Sequence, residues 1–230
     1  MDIKVPFRKP VEIDQLVLDL MRKYAKARGT PLRPPIDVDD IIEGFLKLDL
    51  ELTDLKALLG MPDVLGAAWF EDNVIRVDSS LDGKEGRLAF TLGHEIGHWW
   101  MHRPIFEMEK VTLPLYSFDK NKPARPAMVC RSGKKKEPAE WQADQFSARL
   151  LMPESDVRAT ARKLRPDLPA MMPNLKMSPD GHDIDRELRD FASEVIEAGN
   201  FSNVSKHAMC IRLVDLKLVE DRNNPQARLL

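Results

Sequence analysis

Two histidines four residues apart, with a glutamate directly after the first, are the clearest sign of chemistry in this sequence. They are His94, Glu95 and His98, within the stretch FTLGHEIGHWWMH. On a helix, residues four apart share a face, so both imidazoles can reach one metal ion. Glu95 is rotated by about 100° from His94 and can reach a water on that ion without being a ligand. The spacing predicts a metal centre with Glu95 as its catalytic base.

The third ligand is predicted further along the chain, in the stretch EPAEWQADQF. Its residues Glu140 and Asp144 share a helix face. Glu140 can supply a carboxylate oxygen, and Asp144 can accept the free N–H of a ligating imidazole and fix its tautomer. Two histidines and one carboxylate leave a position open for water, which is typical of catalytic zinc. The predicted cofactor is one Zn²⁺ ion per chain, with Mn²⁺ as the alternative.

Two other residues compete for these roles. His102 lies about 12 Å along the helix from His94, too far to share one ion, so we expect it to support a ligand or to pack. Glu137 precedes Pro138, which disfavours helical geometry and moves it to the N-cap of the next helix. We therefore favour Glu140 as the ligand. An ordinary amphipathic helix with incidental histidines is the alternative to a metal centre.

The elements that position these residues predict an α+β domain. Helices are predicted at PVEIDQLVLDLMRKYAKARG, with Gly29 as its stop, and at PAEWQADQFSARLLM, with Pro138 in its first turn. The metal-bearing helix is predicted to open with a capping box of Asp82 and Glu85. The stretch LGAAWFEDNVIRVDSS predicts a hairpin, and an edge strand of it, near GAAWF or VIRV, could bind substrate by strand addition.

Two glycines lie inside the predicted metal-bearing helix. Gly93 and Gly97 each cost about 1 kcal/mol relative to alanine in a helix interior. Such a cost calls for a reason, such as close packing or the close approach of another backbone.

The remaining sequence predicts three further regions. Residues 118–137 carry a net charge of +5 without helical or strand period, which indicates a flexible solvated loop or a flap for an acidic partner. Residues 161–182 are rich in proline and predict a connector between a domain at 1–160 and a helical one at 183–230. The last region resembles a helix-turn-helix or winged-helix unit, with Ser205 as a cap. Its net charge of −2 favours a role in packing or in substrate docking over a role in DNA binding. Direct DNA binding remains the alternative.

Composition excludes several classes of protein. The 230 residues carry a net charge of −2, so bulk attraction to nucleic acid or anionic membrane is not expected. Neither a secretory signal nor an apolar run long enough to span a bilayer is present, so no membrane partner is expected. Cys130 and Cys210 lack CxxC spacing and predict free thiols. These features together predict a cytoplasmic protein.

Two stretches resemble the ImmA/IrrE family of zinc metallopeptidases. GRLAFTLGHEIGHWWMH is similar to the family's R-x-x-F-T-x-A-H-E-x-G-H pattern, and EWQADQFSARLLMP to its E-x-x-A-[ND]-x-F-A-A-x-L-L-M-P pattern. The resemblance covers roughly residues 10–160 and departs from the family at Gly93 and Ser147. It implies a minimal zincin fold, with two metal-bearing helices over a small antiparallel sheet. It also implies zinc ligation by His94, His98 and Glu140.

The resemblance implies a function as well. Members of the family are cytosolic proteases that cut helix-turn-helix repressors of the XRE type, in DNA-damage or mobile-element responses. We therefore expect a zinc endopeptidase whose protein partner is such a repressor. A DNA-binding regulator with a vestigial metal site and a zinc hydrolase acting on a small amide are the two alternatives.

Overall fold

A small mixed β-sheet and the helices around it form the part of the chain that carries the predicted ligands. The computed structural model describes residues 5–112, 126–131, 137–172 and 184–221. The fold is α+β, and the chain divides into two compact units. The first unit comprises Met1–Leu32 and Asp37–Leu150, and the second unit comprises Arg33–Ile36 and Leu151–Leu230.

The sheet of the first unit has four strands in the order β1-β3-β2-β4. They are β1 (Asp49–Thr53), β2 (Val64–Trp69), β3 (Val74–Asp78) and β4 (Met128–Arg131). Strands β2 and β3 form the predicted hairpin, which is confirmed. The sheet is mixed rather than antiparallel, because β1 runs parallel to β3. The chain reaches β3 from β1 through a helix and strand β2, and so re-enters the sheet in the same direction.

The strand order overturns one prediction about substrate binding. Both hairpin strands are interior, since β1 pairs with β3 on one side and β4 pairs with β2 on the other. The outermost of the described strands are therefore β1 and β4. The prediction that GAAWF or VIRV lies at an edge of the sheet is therefore wrong, because strands distant in sequence pair with both sides of the hairpin.

Strand β4 also corrects the prediction of one continuous loop at 118–137. Met128–Arg131 pair with β2, whereas 118–125 and 132–136 lie outside the described residues. Four residues are too few to show a strand period in the sequence. Pairing with β2, and not local propensity, makes this segment a strand.

The described residues of the first unit also form seven helical segments. They are α1 (Pro10–Arg28), a π-helical turn (Asp40–Phe45), α2 (Leu55–Leu59), a 3₁₀ turn (Ser79–Leu81), α3 (Glu85–Met101), α4 (Arg103–Thr112) and α5 (Pro138–Leu151). Helix α1 ends at Gly29 in the left-handed conformation and α5 begins at Pro138, as predicted. Helix α3 buries Leu92 and Ile96, and its Thr91 and Glu95 lie close to Gly66 of β2.

The predicted capping box at the start of α3 is wrong. The N-cap residue is Lys84, whose side chain makes no capping hydrogen bond. Asp82 instead follows the 3₁₀ turn, and its N–H donates to the carbonyl of Ser79. The local signal at Asp82 and Glu85 is therefore overridden by the turn that leaves β3.

The second unit is mainly helical. It contains α6 (Glu154–Leu164), α7 (Arg186–Ala198) and α8 (Lys206–Asp215), with a parallel pair of short strands, β5 (Ala170–Met172) and β6 (Val219–Asp221). Residue 160, the predicted end of the first domain, thus lies within α6. Fully buried side chains of α6, α7 and α8 form its core, including Val157, Phe191 and Met209. Ser205 caps α8 as predicted, accepting a hydrogen bond from the Ala208 N–H at 3.1 Å.

No helix among the described residues is long and apolar enough to cross a membrane. Cys130 and Cys210 are both free thiols, as predicted. Cys130 is half-buried on β4, and Cys210 is buried within α8.

Candidate metal centre

The two helices predicted to carry metal ligands bring three of them together. The Nε2 atoms of His94 and His98 lie 2.9 Å apart. Glu140 places Oε2 3.2 Å from the Nε2 of His94 and Oε1 3.1 Å from the Nε2 of His98. A tetrahedral ion with bonds of about 2.0–2.1 Å separates its ligand atoms by about 3.3 Å. The three side chains, called here the His–His–Glu cluster, are therefore spaced as the ligands of a single ion.

Close packing of α3 against α5 brings the two sets of ligands into reach. A Cβ atom added at Gly97 would lie 3.1 Å from the Cβ of Phe146 and 3.3 Å from the Cα of Ala143. A Cβ at Gly93 would lie 2.6 Å from the Oγ of Ser147. Both glycines thus allow the backbones to approach, and the close packing predicted for them is confirmed.

Gly93 and Ser147, the two departures from the resembled pattern, face each other across this contact. The Ser147 hydroxyl occupies the space that a side chain at position 93 would need. It also donates a hydrogen bond to the Phe90 carbonyl at 2.8 Å. The small residue on α3 and the larger one on α5 are therefore compensating.

Asp144 determines which nitrogen of His94 carries the proton. Its Oδ1 lies 3.0 Å from the Nδ1 of His94. A carboxylate can only accept, so the Nδ1–H of His94 donates this bond. A neutral His94 then presents an unprotonated Nε2 to the cluster, which is the form that a metal ion requires.

A longer chain of hydrogen bonds has the same effect on His98. The Gln142 amide nitrogen donates to the Pro6 carbonyl at 2.9 Å, so its oxygen must face the Nε2 of His102, 3.2 Å away. That nitrogen therefore carries the proton of a neutral His102, and the Nδ1 of His102 is an acceptor. The Nδ1–H of His98 donates to it at 2.9 Å, which leaves the Nε2 of His98 unprotonated.

His102 is thus hydrogen-bonded to a ligand and is not itself in the cluster. Burial, followed by the charge at His98, lowers the pKa of His102 to about 3, so its imidazole is neutral near pH 7. Glu137 is exposed, and its carbonyl accepts from the Trp141 N–H as expected of an N-cap residue. It lies outside the cluster.

The tautomers leave three acceptors facing one another. The rings of His94 and His98 are at most 1% exposed, and their Nε2 atoms are 2.9 Å apart, so there is no room for a water between the two lone pairs. Burial opposes a charge on either ring and lowers the pKa of His98, but Cys130, Asp144 and Glu140 together raise the pKa of His94. Contacts with both rings hold the pKa of Glu140 well below its usual range, despite burial. The cluster therefore accommodates one positive charge, either a proton or a metal ion.

Glu95 lies beside this cluster with no partner of its own. Its side chain is fully buried, and neither carboxylate oxygen accepts a hydrogen bond from any part of the chain that the structure describes. Burial, together with the charge on Glu140, raises the pKa of Glu95 to about 8. The backbone of β2 comes so close that a Cβ added at Gly66 would lie 2.7 Å from Oε1 of Glu95. A buried carboxylate of this kind calls for a cation or a water beside it.

Two residues of the site were not predicted from the sequence. Cys130 lies on β4, and its sulfur forms a second group of potential ligands with His94 and Glu95, all within 4.8 Å of one another. Gln142 orients His102. Neither has a sequence signal, because Cys130 is placed by strand pairing and Gln142 acts through a backbone carbonyl 136 residues away.

The fold and site define an α+β protein with groups of side chains that could hold a metal ion. Neither the family models nor the curated proteins that were compared with this chain give a match. The donor atoms fit a cation, since two buried imidazole nitrogens and a partly buried carboxylate converge within hydrogen-bond distance of one another. Function is therefore argued from this geometry.

Proposed function

We propose that this protein is a zinc-dependent endopeptidase that cuts a helix-turn-helix transcriptional repressor, as expected for the ImmA/IrrE family that its sequence resembles. The observation that carries the proposal is the His–His–Glu cluster with an unpartnered, buried Glu95 beside it. The cluster argues for a metal ion, and Glu95 argues for a reaction at that ion. A purely structural metal site would not require a buried carboxylate without a partner.

The donor set favours zinc among the divalent ions. Two imidazole nitrogens and one carboxylate oxygen suit Zn²⁺, whereas Ca²⁺ and Mg²⁺ prefer six or more oxygen ligands. The short distances between the three donors suit a small tetrahedral ion. Three protein ligands also leave a fourth position open, which is typical of catalytic zinc.

His94, His98 and Glu140 would hold the ion. When bound, zinc makes a coordinated water more acidic and polarises the carbonyl of the scissile bond. Glu95 takes the proton from the attacking water and later passes it to the leaving amine. Burial raises the pKa of Glu95 to about 8, which brings it close to neutral pH, so this side chain can both accept and donate the proton.

Two further groups keep the ligands in the reactive form. Asp144 holds the Nδ1–H of His94, and His102 holds the Nδ1–H of His98. Each bond would keep the Nε2 lone pair of its histidine free for a bound ion. These residues position the ligands and take no proton from substrate.

The position of the cluster beside β4 supports a peptide substrate over a small amide. β4 is an outermost strand of the described sheet, and its Cys130 lies within 4.8 Å of ligand atoms on His94 and Glu95. An extended peptide that paired with β4 would pass close to Glu95. The choice of a repressor as substrate rests on the family resemblance.

The test is cleavage of purified helix-turn-helix repressors from the same genome by the zinc-loaded protein, with fragments identified by mass spectrometry. Glu95→Gln is the matched variant, because the amide retains the shape of the side chain but cannot take a proton. We expect it to bind one zinc ion per chain and to lose about 10²–10⁴-fold in cleavage rate. Loss of zinc from this variant, or cleavage at the wild-type rate, would contradict the role of Glu95.

A further inference from the structure

The cluster has a fourth potential ligand that the proposed reaction does not use. Cys130 lies on β4 with its sulfur close to His94. Its sulfur, a nitrogen of His94 and a carboxylate oxygen of Glu95 all lie within 4.8 Å of one another. The two groups of potential ligands therefore share His94, and Cys130 lies on the side of the cluster where Glu95 is found.

That side is where an attacking water must lie. Glu95 can take a proton only from a water within hydrogen-bond reach, so the water and Cys130 compete for the same space. Both oxygens of Glu95 lack a hydrogen-bond partner in the described residues, and its side chain is fully buried. The thiol thus lies beside His94 and Glu95, next to the space that such a water would occupy.

A thiolate is a better zinc ligand than water. Zinc binds a Cys sulfur at a distance of about 2.3 Å. Zinc sites with four protein ligands are structural, because they leave no coordination position for water. A divalent ion deprotonates a coordinating thiol outright.

We propose that the Cys130 thiolate is the fourth ligand of the metal ion in the resting protein and closes the site to water. The inference rests on the proposed function, because it requires a metal ion at the His–His–Glu cluster. Cleavage then needs Cys130 to leave the ion. β4 has only four residues and is an outermost strand, so a movement of β4 when substrate pairs with its edge can withdraw the sulfur.

The experiment replaces zinc with Co²⁺ in the full chain and records the near-ultraviolet spectrum. A sulfur ligand produces a thiolate-to-cobalt charge-transfer band, which nitrogen and oxygen ligands do not. We expect the band in the wild-type protein and in Cys210→Ser, and we expect Cys130→Ser to lack it. Cys210 is the matched control because it is the only other cysteine in the chain and lies in the second unit.

The cobalt affinity and the rate of repressor cleavage complete the test. Cys130→Ser should weaken cobalt binding by about tenfold or more, since even residues that only support a ligand contribute that much. It should also raise the cleavage rate by the inverse of the open fraction, about tenfold if one molecule in ten is open. Cys130→Ala, checked for the wild-type circular dichroism spectrum, should behave in the same way.

The outcomes separate this inference from the proposed function. A wild-type cobalt spectrum without the band, or a band that persists in Cys130→Ser, would overturn the ligand assignment. A band with no rise in cleavage on removing Cys130 would overturn the closure of the site. A further outcome is a band that depends on Cys130 while neither the wild type nor any variant cuts a repressor. That result would support Cys130 as a metal ligand and would reject the proposed substrate.

Discussion

Buried polar groups on α8 of the second unit and at the metal centre of the first unit are satisfied in different ways. In the second unit, Arg212 is 4% exposed and its Nε donates to the Met152 carbonyl at 3.1 Å. The Cys210 thiol of the same helix faces the Leu188 carbonyl. In the first unit, His94, His98 and Glu140 face one another as acceptors, and Glu95 faces no donor among the described residues.

The difference separates polar groups that hold a fold together from those that await a ligand. A donor paired with a carbonyl contributes to stability and needs nothing further. Acceptors that converge in a buried site repel one another until a cation lies between them. Burial alone would not distinguish Arg212 from His98, whereas the pairing of each atom does.

The largest expected effect is the loss of zinc affinity when one side chain of the His–His–Glu cluster is removed. Glu140→Ala should lose zinc affinity by more than about 100-fold, the upper end of what residues that only support a ligand contribute. Glu137→Ala is the matched control, three residues earlier and exposed, and should bind zinc as the wild type does. Isothermal titration with zinc measures both. If Glu137→Ala lost the metal and Glu140→Ala retained it, the cluster would be misassigned.

The next effect tests whether a distant amide determines the tautomer of His98. Gln142→Leu removes the acceptor for the Nε2–H of His102, so we expect zinc affinity to fall by about 10–100-fold. Gln142→Glu still accepts that proton and should stay close to wild type. Nitrogen-15 chemical shifts of the imidazoles report the tautomers directly. Equal affinity in the leucine and glutamate variants would show that the chain of hydrogen bonds has no influence on the metal.

A substitution of Arg212 in the second unit should lower stability and leave zinc affinity unchanged. Arg212→Leu leaves the buried Met152 carbonyl without its donor, so we expect the free energy of unfolding to fall by about 1–3 kcal/mol. Zinc affinity should not change, because Arg212 supports a fold rather than a ligand. Urea unfolding and zinc titration of the same variant make the comparison. A loss of zinc affinity here would break the distinction between the two units.

The smallest effect concerns the contact between α3 and α5. Gly93→Ala places a Cβ against the Ser147 hydroxyl, so we expect it to destabilise the protein by about 1–3 kcal/mol despite the better helix propensity of alanine. Ser147→Ala removes the obstructing oxygen, and the double variant should recover most of the loss. Thermal unfolding of the two single variants and the double variant gives the coupling energy. Additive effects would show that the two residues do not compensate each other.

Features that depend on local geometry were predictable from the sequence. A spacing of four residues places His94 and His98 on one helix face whatever surrounds the helix, and the same holds for Glu140 and Asp144. The start of α5 at Pro138 and the end of α1 at Gly29 follow from the backbone preferences of those residues. The predicted capping box failed because a neighbouring turn had a competing use for Asp82.

The sequence by itself therefore determined which residues carry metal-binding chemistry, since helical spacing is a short-range property of the chain. Only the tertiary structure decided what surrounds them. Pairing of β4 with β2 places Cys130 beside His94, and the Pro6 carbonyl orients Gln142, which in turn orients His102. Strand pairing and backbone acceptors join segments far apart in sequence, and they leave no periodic pattern in either segment. That is the physical reason why the candidate ligands, Asp144 and His102 could be predicted from the sequence, whereas the positions of Cys130 and Gln142 could not.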